Sequence, residues 1–448
     1  MRQIRRTGLT TKSDRRTAVA IVGGGASGTI LAAQLARRGI RSTLIDGSGR
    51  IGKGVAYSTT EDVHLLNVRA EGMSALAGDP DHFVRAFEAE GGDRRGFAQR
   101  RFFAGYLGQI LQEAIASGCT RTVEATAVAG RRQEDGWHVT LDDGSSIDAD
   151  TLVLAVGNQE PEALRAFDGI KQRFVRNPWG ADSRSVVKEL AVSGEAALLV
   201  GTGLTMVDLV LSLDAAGHRG RIVALSRRGL APRAHADFQP APIDNASLPR
   251  RLGPLFRWLR RRGAEVGWRA AVDSLRPHSH QLWQGLDSNE QRRFLRHVRP
   301  WWDVHRHRIA PEVAAIVART VAEDRLEIVA GRVIAAREGD DRIDVEYRRR
   351  SASQSQTETF GYAFNCTGPL HSIDRTKDPL LRSLLDAREV KADHLGIGLE
   401  VSGTCRAGEH LWAMGPLTKG RYWEIVAVPD IREQAAAVAE DIEQELGA

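Results

Sequence analysis

Two segments of the chain combine an apolar run, a glycine-rich turn and a second apolar run in the same order. The first is VAIVGGGASGTILAAQL at 19–35, and the second is ALLVGTGLTMVDLVLSL at 197–213. A buried strand that turns through glycine into a helix begins a βαβ unit, and such units assemble into parallel sheets. The pair therefore predicts an α/β fold with two nested Rossmann-like dinucleotide-binding domains.

The first glycine turn satisfies the pattern G-x-G-x-x-G between a strand and a helix. Its first glycine permits the tight turn, its second lets the backbone approach a pyrophosphate, and its third brings the helix against the strand. The start of the helix offers free N–H groups and a positive dipole to the phosphates. A carboxylate ends the next strand, STLID at 42–46, where it can accept the hydroxyls of a ribose. The predicted contacts of this first dinucleotide are Gly23, Gly25, Ala26, Ser27, Gly28 and Asp46.

The second glycine turn departs from the pattern at one position. Gly201 and Gly203 match the first two glycines, but Met206 stands where the third glycine belongs. The larger side chain predicts a slightly wider separation between helix and strand than in the first turn.

The strand that follows the second turn, RIVAL at 221–225, ends in a hydroxyl and two guanidinium groups, Ser226, Arg227 and Arg228, instead of an acid. A carboxylate here would repel a ribose 2′-phosphate, whereas these groups would bind it. The strand end therefore predicts NADPH rather than NADH. A merely solvated strand end is the alternative interpretation.

A flavin site at the first turn and a nicotinamide site at the second predict a path for electrons from NADPH to FAD and then to an acceptor. The three cysteines, Cys119, Cys366 and Cys405, are far apart in the sequence, which argues against a redox disulfide. Molecular oxygen suits the remaining chemistry, since reduced flavin forms a peroxide that hydroxylates a bound small molecule. Two alternatives stay open: an NADPH-dependent flavin reductase that feeds a carrier, and a non-catalytic FAD-binding protein.

Four stretches resemble one family: GKGVAYSTTEDVHLLNVRAEGMSALAGDPDHFVRAF (52–87), FLRHVRPWWDVHRHRIAP (294–311), FNCTGP (364–369) and GPLTKGRYWEIVAVPDIREQA (415–435). The chain is similar, from about 18 to 440, to bacterial FAD/NAD(P)-binding proteins that include a type of FAD-dependent urate hydroxylase. That family is related to the flavin N-hydroxylating monooxygenases. The resemblance implies FAD, NAD(P)H and monooxygenase activity. It departs from the family at Met414-Gly415-Pro416, where a Gly-Asp pair is usual.

Polar residues after the first βαβ unit are candidates for catalysis. Asn67 and Arg69, in LLNVRA, could hydrogen-bond the flavin ring or orient a peroxide. A polar loop that satisfies its own backbone is the alternative interpretation. The strands LAVGN and NCTG each close with glycine, which suits two crossings between nested domains. The further predicted cofactor contacts are Gly54, Tyr57, Gly157, Gly368 and Gly415.

Composition limits the class of protein. The chain has 448 residues, 42% hydrophobic and 27% charged, with a formal net charge of +5, all ordinary values for a globular protein. Apolar runs fall short of the roughly 18–20 residues that a membrane span needs. Arginine is dense at 250–263 and 292–308, but no nucleic-acid-binding motif accompanies it. We therefore expect a cytoplasmic protein whose partners are a small-molecule substrate and oxygen, with no nucleic acid and no membrane.

The order of these patterns predicts how the chain is divided. A disordered basic tail is expected at 1–17, without the apolar core of a signal peptide. The FAD domain is expected at 18–180 and 355–448, and the NADPH domain at 190–350 with a helical insert at 246–320. The insert contains His278-x-His280 and His305-x-His307, but no acidic or cysteine set that would complete a metal site. Its segment around Trp301 and Trp302 is expected near the nicotinamide or the substrate, with plain packing as the alternative.

Overall fold

The structure is a computed structural model that describes residues 16–447. The predicted tail at 1–17 lies outside the described residues except for its last two. These two residues belong to the first strand: Arg16 is exposed and Thr17 is buried. No helix among the described residues is long and apolar enough to cross a bilayer.

The N-terminal part of the chain alternates strands and helices around the first glycine turn. Its elements are β1 (Arg16–Val22), α1 (Ala26–Arg37), β2 (Ser42–Ile45), α2 (Gly54–Tyr57), α3 (His82–Ala89), α4 (Arg100–Ala116), β3 (Thr120–Val123), β4 (Ala127–Gln133), β5 (Gly136–Leu141) and β6 (Ser146–Leu154).

The middle of the chain contains the second glycine turn and then a run of helices. Its elements are β7 (Phe174–Val175), α5 (Ala181–Ser193), β8 (Ala197–Val200), α6 (Leu204–Ala215), β9 (Ile222–Ser226), α7 (Leu252–Val266), α8 (Trp268–Leu275), α9 (Ser279–Gly285), α10 (Ser288–Arg293), α11 (Arg299–Arg306) and α12 (Pro311–Ala322). A π-helical turn, Phe294–Val298, joins α10 to α11.

The remaining elements complete both sheets. They are β10 (Leu326–Glu338), β11 (Ile343–Arg349), β12 (Gln356–Phe360), β13 (Tyr362–Asn365), α13 (Pro379–Asp386), β14 (Arg406–Gly408), β15 (Leu411–Ala413) and α14 (Val428–Gly447).

The first sheet has the strand order β14-β15-β6-β1-β2-β3, and β4 and β5 join it as a hairpin that pairs with β6. β1 runs parallel to both β2 and β6, as a βαβ start requires. The predicted turn DDGS lies between the antiparallel strands β5 and β6, which confirms the hairpin. Helices α1, α4 and α14 cover one face of this sheet, and α13 packs against β4 on the other.

The second sheet has the order β12-β11-β10-β9-β8-β13-β7. The strands of this sheet do not follow the domain boundaries predicted at 180 and 355. Residues 174–175 and 356–365 are predicted to belong to the FAD domain, but they are strands of the second sheet. β13 is buried and inserts in parallel between β8 and β7, and β12 continues the antiparallel edge made by β10 and β11. The two nested α/β sheets confirm the predicted fold class.

Helices α7 to α12 occupy most of the segment 246–320, where a helical insert is predicted. Some of its apolar residues form two small clusters, one around Leu275 and one around Trp283, and those of α12 pack in the core of the second sheet. The second cluster also includes Leu395, Ile397 and Trp423, so the insert packs against the C-terminal part of the chain.

The molecule has two halves, one built on the first sheet and one built on the second. One buried ion pair joins them. Arg100 of α4 donates from its two terminal nitrogens to the two carboxylate oxygens of Asp208 on α6, each at 2.9 Å. The side chains are 11% and 8% exposed. His64 lies beside them, 3.2 Å from the Asp208 carbonyl and 3.2 Å from the Ser212 hydroxyl. A bidentate pair with this little solvent fixes the distance and the angle between α4 and α6.

Replacement of Arg100 tests this contact, and the next residue provides its control. Arg100→Met should lower the free energy of unfolding by about 3–5 kcal/mol, because Asp208 stays buried without a partner. Arg101 pairs with Asp62 at the surface, with side chains 52% and 58% exposed, so Arg101→Met should cost no more than about 1 kcal/mol. Urea unfolding of both variants measures the difference, and equal losses would contradict the structural role assigned to Arg100.

Candidate functional site

The three glycines of the first turn have different surroundings. Gly23 has a φ of 109°, and a Cβ there would lie 2.3 Å from the carbonyl oxygen of Ala155; a Cβ on Gly28 would lie 2.0 Å from the oxygen of Gly23. Gly25, the N-cap of α1, would place its Cβ in ordinary contact, 3.6 Å from the Gly54 Cα. The first and third glycines are therefore required by the fold. The second borders space that the protein leaves free.

In the second turn, too, packing requires one glycine and not the other. Gly201 has a φ of 122°, and its Cβ would lie 2.1 Å from the Cys366 carbonyl oxygen, whereas a Cβ on Gly203 would meet nothing within 4 Å. Met206 is fully buried in the core of the second half, where its side chain fills the position of a third glycine. Gly203 is the N-cap of α6 and makes no side-chain capping bond. Both turns thus carry, at the start of a helix, a glycine that packing does not require, and a helix start suits a phosphate group.

Asp46 lies beside the first turn, as predicted. Its Oδ2 accepts the N–H of Gly24 at 2.7 Å, and its Oδ1 accepts the N–H of Ser48 at 2.7 Å. Each carboxylate oxygen can accept a further hydrogen bond, so the predicted contact with a ribose remains chemically available.

At the strand end after the second turn, Ser226 is hydrogen-bonded within the described part of the protein, whereas Arg227 and Arg228 are not. The Ser226 hydroxyl lies 2.8 Å from the Thr202 hydroxyl and accepts the N–H of Gly229 at 3.1 Å, so it shapes the turn itself. Arg227 is exposed and Arg228 half-buried. Within residues 16–447 neither guanidinium makes a hydrogen bond or an ion pair, which leaves both available to an anion.

His371 and Lys419 lie within electrostatic reach of arginine side chains. Burial, with Arg299, Lys419 and Arg227 nearby, lowers the pKa of His371 to about 4. Burial and the charge of Arg299 lower the pKa of Lys419 to about 8, against the opposing effect of Asp393. The field of these side chains favours a bound anion.

The glycine-rich loop after β2 folds back over the first turn. Gly52 donates its N–H to the carbonyl of Gly24 at 2.8 Å, and a Cβ on Gly54 would lie 2.8 Å from the Gly25 Cα. Tyr57 packs edge-on against Phe103, with ring centroids 4.7 Å apart. Burial raises the pKa of Tyr57 to about 12, so its hydroxyl stays protonated at neutral pH. The structure therefore brings Gly54 to the first turn, as the prediction requires.

The two strand-closing glycines lie at equivalent places in the halves. Gly157 follows β6 by three residues and Gly368 follows β13 by three, and each lies two residues beyond the carbonyl that abuts a glycine turn. Both have positive φ, 73° and 88°. They therefore mark where the chain leaves each sheet beside its turn, in line with the predicted crossings.

Gly415 reaches the first turn from the C-terminal part of the chain. Its N–H donates to Gln434 Oε1 at 2.7 Å, and a Cβ on it would lie 2.8 Å from the Ser27 hydroxyl. The segment that carries Met414 and Pro416 therefore lies at the start of α1, although the usual acid is missing.

Asn67 and Arg69 lie where the two halves meet. The segment of the second half that carries His235 and Asp237 contacts them. His235 donates from Nε2 to the Asn67 carbonyl at 3.0 Å, and burial lowers the pKa of His235 to about 4, so the ring is neutral. Arg69 donates to Asp237 Oδ1 at 2.8 Å, and Arg95 donates to the same oxygen at 2.8 Å. The sequence analysis missed His235 and Asp237, since no motif surrounds them.

A strained buried acid was also missed. Glu424 has a φ of 74° and is 8% exposed. Its carboxylate accepts hydrogen bonds from Trp302 Nε1 and, at 3.2 Å, from Arg306 Nε, and His307 Nε2 lies 3.8 Å away. Positive φ costs a non-glycine residue energy and is concentrated at functional sites. The insert residues expected near the substrate thus converge on Glu424, in WEIV of the last resembling stretch.

Thiol and metal chemistry have little support in the geometry. Cys366 and Cys405 are buried, and all three cysteines are free. Burial raises the pKa of the Cys366 thiol and raises that of Cys405 to about 11. In the described part of the chain, no three His, Cys, Asp or Glu side chains form a group that could hold a metal ion.

Comparisons with known proteins agree with this architecture. Residues 20–159 match a family model described as FAD-NAD(P)-binding. The structure resembles L-lysine 6-monooxygenase from Pseudomonas syringae (TM-score 0.67, 16% identity) over 96% of this chain and 99% of that one. It also resembles an ornithine N-hydroxylase from Kutzneria sp. 744, solved with reduced FAD, NADP⁺ and L-ornithine (TM-score 0.65, 15% identity, 96% and 100% covered).

A thioredoxin reductase from T. acidophilum shares the fold less closely, with a TM-score of 0.55, 11% identity and coverage of 97% and 100%. A search of curated proteins finds no match to the chain. At these identities the solved structures establish the fold alone, an arrangement of two nested α/β domains. The family model supports FAD and NAD(P) as the cofactors.

The different surroundings of Gly201 and Gly203 predict unequal effects on stability. Gly201→Ala should lower the free energy of unfolding by at least about 2 kcal/mol, because Ala at this φ is strained and its Cβ meets the Cys366 carbonyl. Gly203→Ala should change it by no more than about 1 kcal/mol, since its Cβ enters free space. Urea unfolding of the protein without nucleotides distinguishes them. A loss at Gly203 as large as that at Gly201 would show that both glycines are structural.

Proposed function

We propose that this protein is an FAD-dependent monooxygenase that oxidises NADPH and hydroxylates a small molecule with oxygen. The observation that carries the proposal is the pair of helix starts at Gly25 and Gly203: a Cβ would make an ordinary contact at Gly25 and meet nothing within 4 Å at Gly203, so packing requires neither glycine. The match of residues 20–159 to an FAD-NAD(P)-binding family supports the identity of the first ligand.

The first turn and the segments folded onto it suit FAD. The helix start would bind the pyrophosphate through main-chain N–H groups, and Asp46 would accept the ribose hydroxyls. Tyr57, as a neutral hydroxyl, could donate a hydrogen bond. The residues proposed to hold FAD are Gly23, Gly25, Ala26, Ser27, Gly28, Asp46, Gly54, Tyr57, Gly157 and Gly415.

The second turn suits NADPH. The start of α6 would bind the pyrophosphate, while Arg227 and Arg228, which have no ion-pair partner within 16–447, would bind the 2′-phosphate. Ser226 would act by shaping the turn through Thr202. The residues proposed to hold NADPH are Gly201, Gly203, Ser226, Arg227, Arg228 and Gly368.

Bound FAD would take a hydride from NADPH and, once reduced, activate oxygen. The protein's own part is positioning. Asn67 and Arg69 are proposed to face the reacting groups, and His235 and Asp237 hold them through the contacts described above. Because His235 is neutral and hydrogen-bonded to the Asn67 carbonyl, it fixes that loop without adding charge.

Oxygen is favoured over a disulfide as the electron acceptor by the state of the thiols. Disulfide exchange needs an accessible thiolate beside a second cysteine. Cys366 and Cys405 are buried with raised pKa values, and Cys119 is a free, half-buried thiol. The solved monooxygenases also have the higher TM-scores among the structures compared.

Two matched variants test the assignment of the turns. Gly25→Val should fold but lose FAD, and Gly203→Val should keep FAD and lose reduction by NADPH, because each branched side chain occupies space meant for a phosphate. Absorbance of the purified protein reports FAD content and its bleaching by NADPH, and dithionite should still reduce Gly203→Val. Stoichiometric FAD in Gly25→Val would overturn the first site.

The acceptor is tested on the wild-type protein. Reduced protein should reoxidise in aerated buffer, and a screen that includes urate and amines should yield a hydroxylated product in proportion to the NADPH consumed. Slow reoxidation by oxygen with rapid reduction of artificial acceptors would favour a reductase instead. Binding of FAD with no bleaching by NADPH would indicate a non-catalytic FAD-binding protein.

The strand-end arginines predict the choice of nucleotide. Replacing Arg227 and Arg228 with alanine should raise the KM for NADPH by at least about tenfold, since a charge-assisted hydrogen bond to the 2′-phosphate contributes about 1.5–3 kcal/mol. The KM for NADH should scarcely change, because NADH has no such phosphate. Steady-state kinetics with both nucleotides provides the comparison. An equal loss for both would assign the arginines to folding.

A further inference from the structure

A cleft inside the helical insert takes no part in the function proposed above. The space inside it that water-sized molecules can reach is about 70 Å³, which is room for several waters or a small ligand. The walls come from α7, α8, α9, the π-helical turn, α11 and the C-terminal segment. The residues that line it are Leu252, Leu255, Phe256, Leu259, Leu275, Ser279, Leu282, Trp283, Leu286, Phe294, Val298, Trp302 and Trp423.

The polar atoms of these walls are almost all bound to the protein itself. Trp283 Nε1 donates to the Gly420 carbonyl at 2.8 Å, and the Ser279 hydroxyl donates to the Leu275 carbonyl at 3.2 Å. Trp302 Nε1 donates to Glu424. Trp423 Nε1 is buried and has no partner within residues 16–447. A charged ligand would therefore lose its hydration and gain no counter-charge from the walls.

The aromatic side chains of the walls form a defined group. The rings of Trp283 and Trp423 are stacked, with centroids 5.0 Å apart and planes 28° apart. Phe294 meets both edge-on, at 5.8 Å and 5.4 Å. Aromatic groups gain energy from offset-stacked and edge-on partners beyond the area that they bury, so flat rings suit these walls better than branched alkyl chains.

We propose that this cleft binds a small, uncharged aromatic molecule of one or two rings. The concave shape and the apolar, partly aromatic walls suit such a molecule, whereas an exposed helix face would present a longer and shallower surface to a protein. Two wall residues also link the cleft to the buried acid Glu424. Trp423 precedes Glu424 in the sequence, and Trp302 donates a hydrogen bond to its carboxylate. The binding itself does not depend on the proposed function.

The variants follow from the exposure of the wall residues. Phe256 is 37% exposed at the mouth, so Phe256→Arg should fold while it places a charge at the entrance. Leu259→Trp fills the cleft without any charge. Val321, on α12 and 43% exposed, provides the matched control, because Val321→Arg adds the same charge on a helix outside the cleft.

The experiment measures binding of 2-naphthol to the full-length protein by equilibrium dialysis and calorimetry, with no nicotinamide nucleotide present. Wild type and Val321→Arg should bind one equivalent with similar affinity, and Phe256→Arg and Leu259→Trp should bind at least about tenfold more weakly. L-lysine, a charged probe, should show no saturable binding. Circular dichroism confirms that each variant is folded.

Three outcomes would overturn the proposal: no saturable binding of 2-naphthol to wild type, unchanged binding in both wall variants, or equal binding of L-lysine and 2-naphthol. None of these depends on flavin content or on NADPH oxidation. Failure of this inference is therefore distinguishable from failure of the proposed monooxygenase activity.

Discussion

Two close approaches of backbone to backbone shape the site. The carbonyl of Ala155 leaves no room for a Cβ at Gly23, and the carbonyl of Cys366 leaves none at Gly201. Each arises because a parallel neighbour, β6 or β13, ends beside the strand that enters the turn, with only about 4.8 Å between strands. The chain must therefore leave each sheet at one place and in one direction. The helix starts, the loop with Gly54 and the segment with Gly415 all take their positions from these exits.

The relation between the halves depends on charge rather than on apolar packing alone. A buried pair such as Arg100 and Asp208 adds little net stability, since its attraction is offset by the loss of hydration. Any displacement of α4 against α6 would nevertheless leave two buried charges unpaired, which is costly. The pair therefore favours one docking of the halves. The contacts of His235 with Asn67 and of Asp237 with Arg69 extend that docking to the predicted catalytic loop.

Much of the fold was predictable because its signals are local. The βαβ starts, the hairpin at DDGS and the helical insert each follow from periodicity and turn residues within about twenty positions. Strand pairing is not local. The residues 356–365 therefore do not show by themselves that β13 lies between β8 and β7. The contacts of Asn67 and Arg69 each join residues 168 positions apart. Glu424 has an unusual backbone that no feature of its residue type reveals.

The chain passes between the halves twice, once after β6 and once after β13, at Gly157 and Gly368. A body held by one linker can swing in many directions, but a body held by two can turn freely only about the line that joins them. Together with the Arg100–Asp208 pair, which opposes that remaining rotation, the two crossings hold the halves in one orientation.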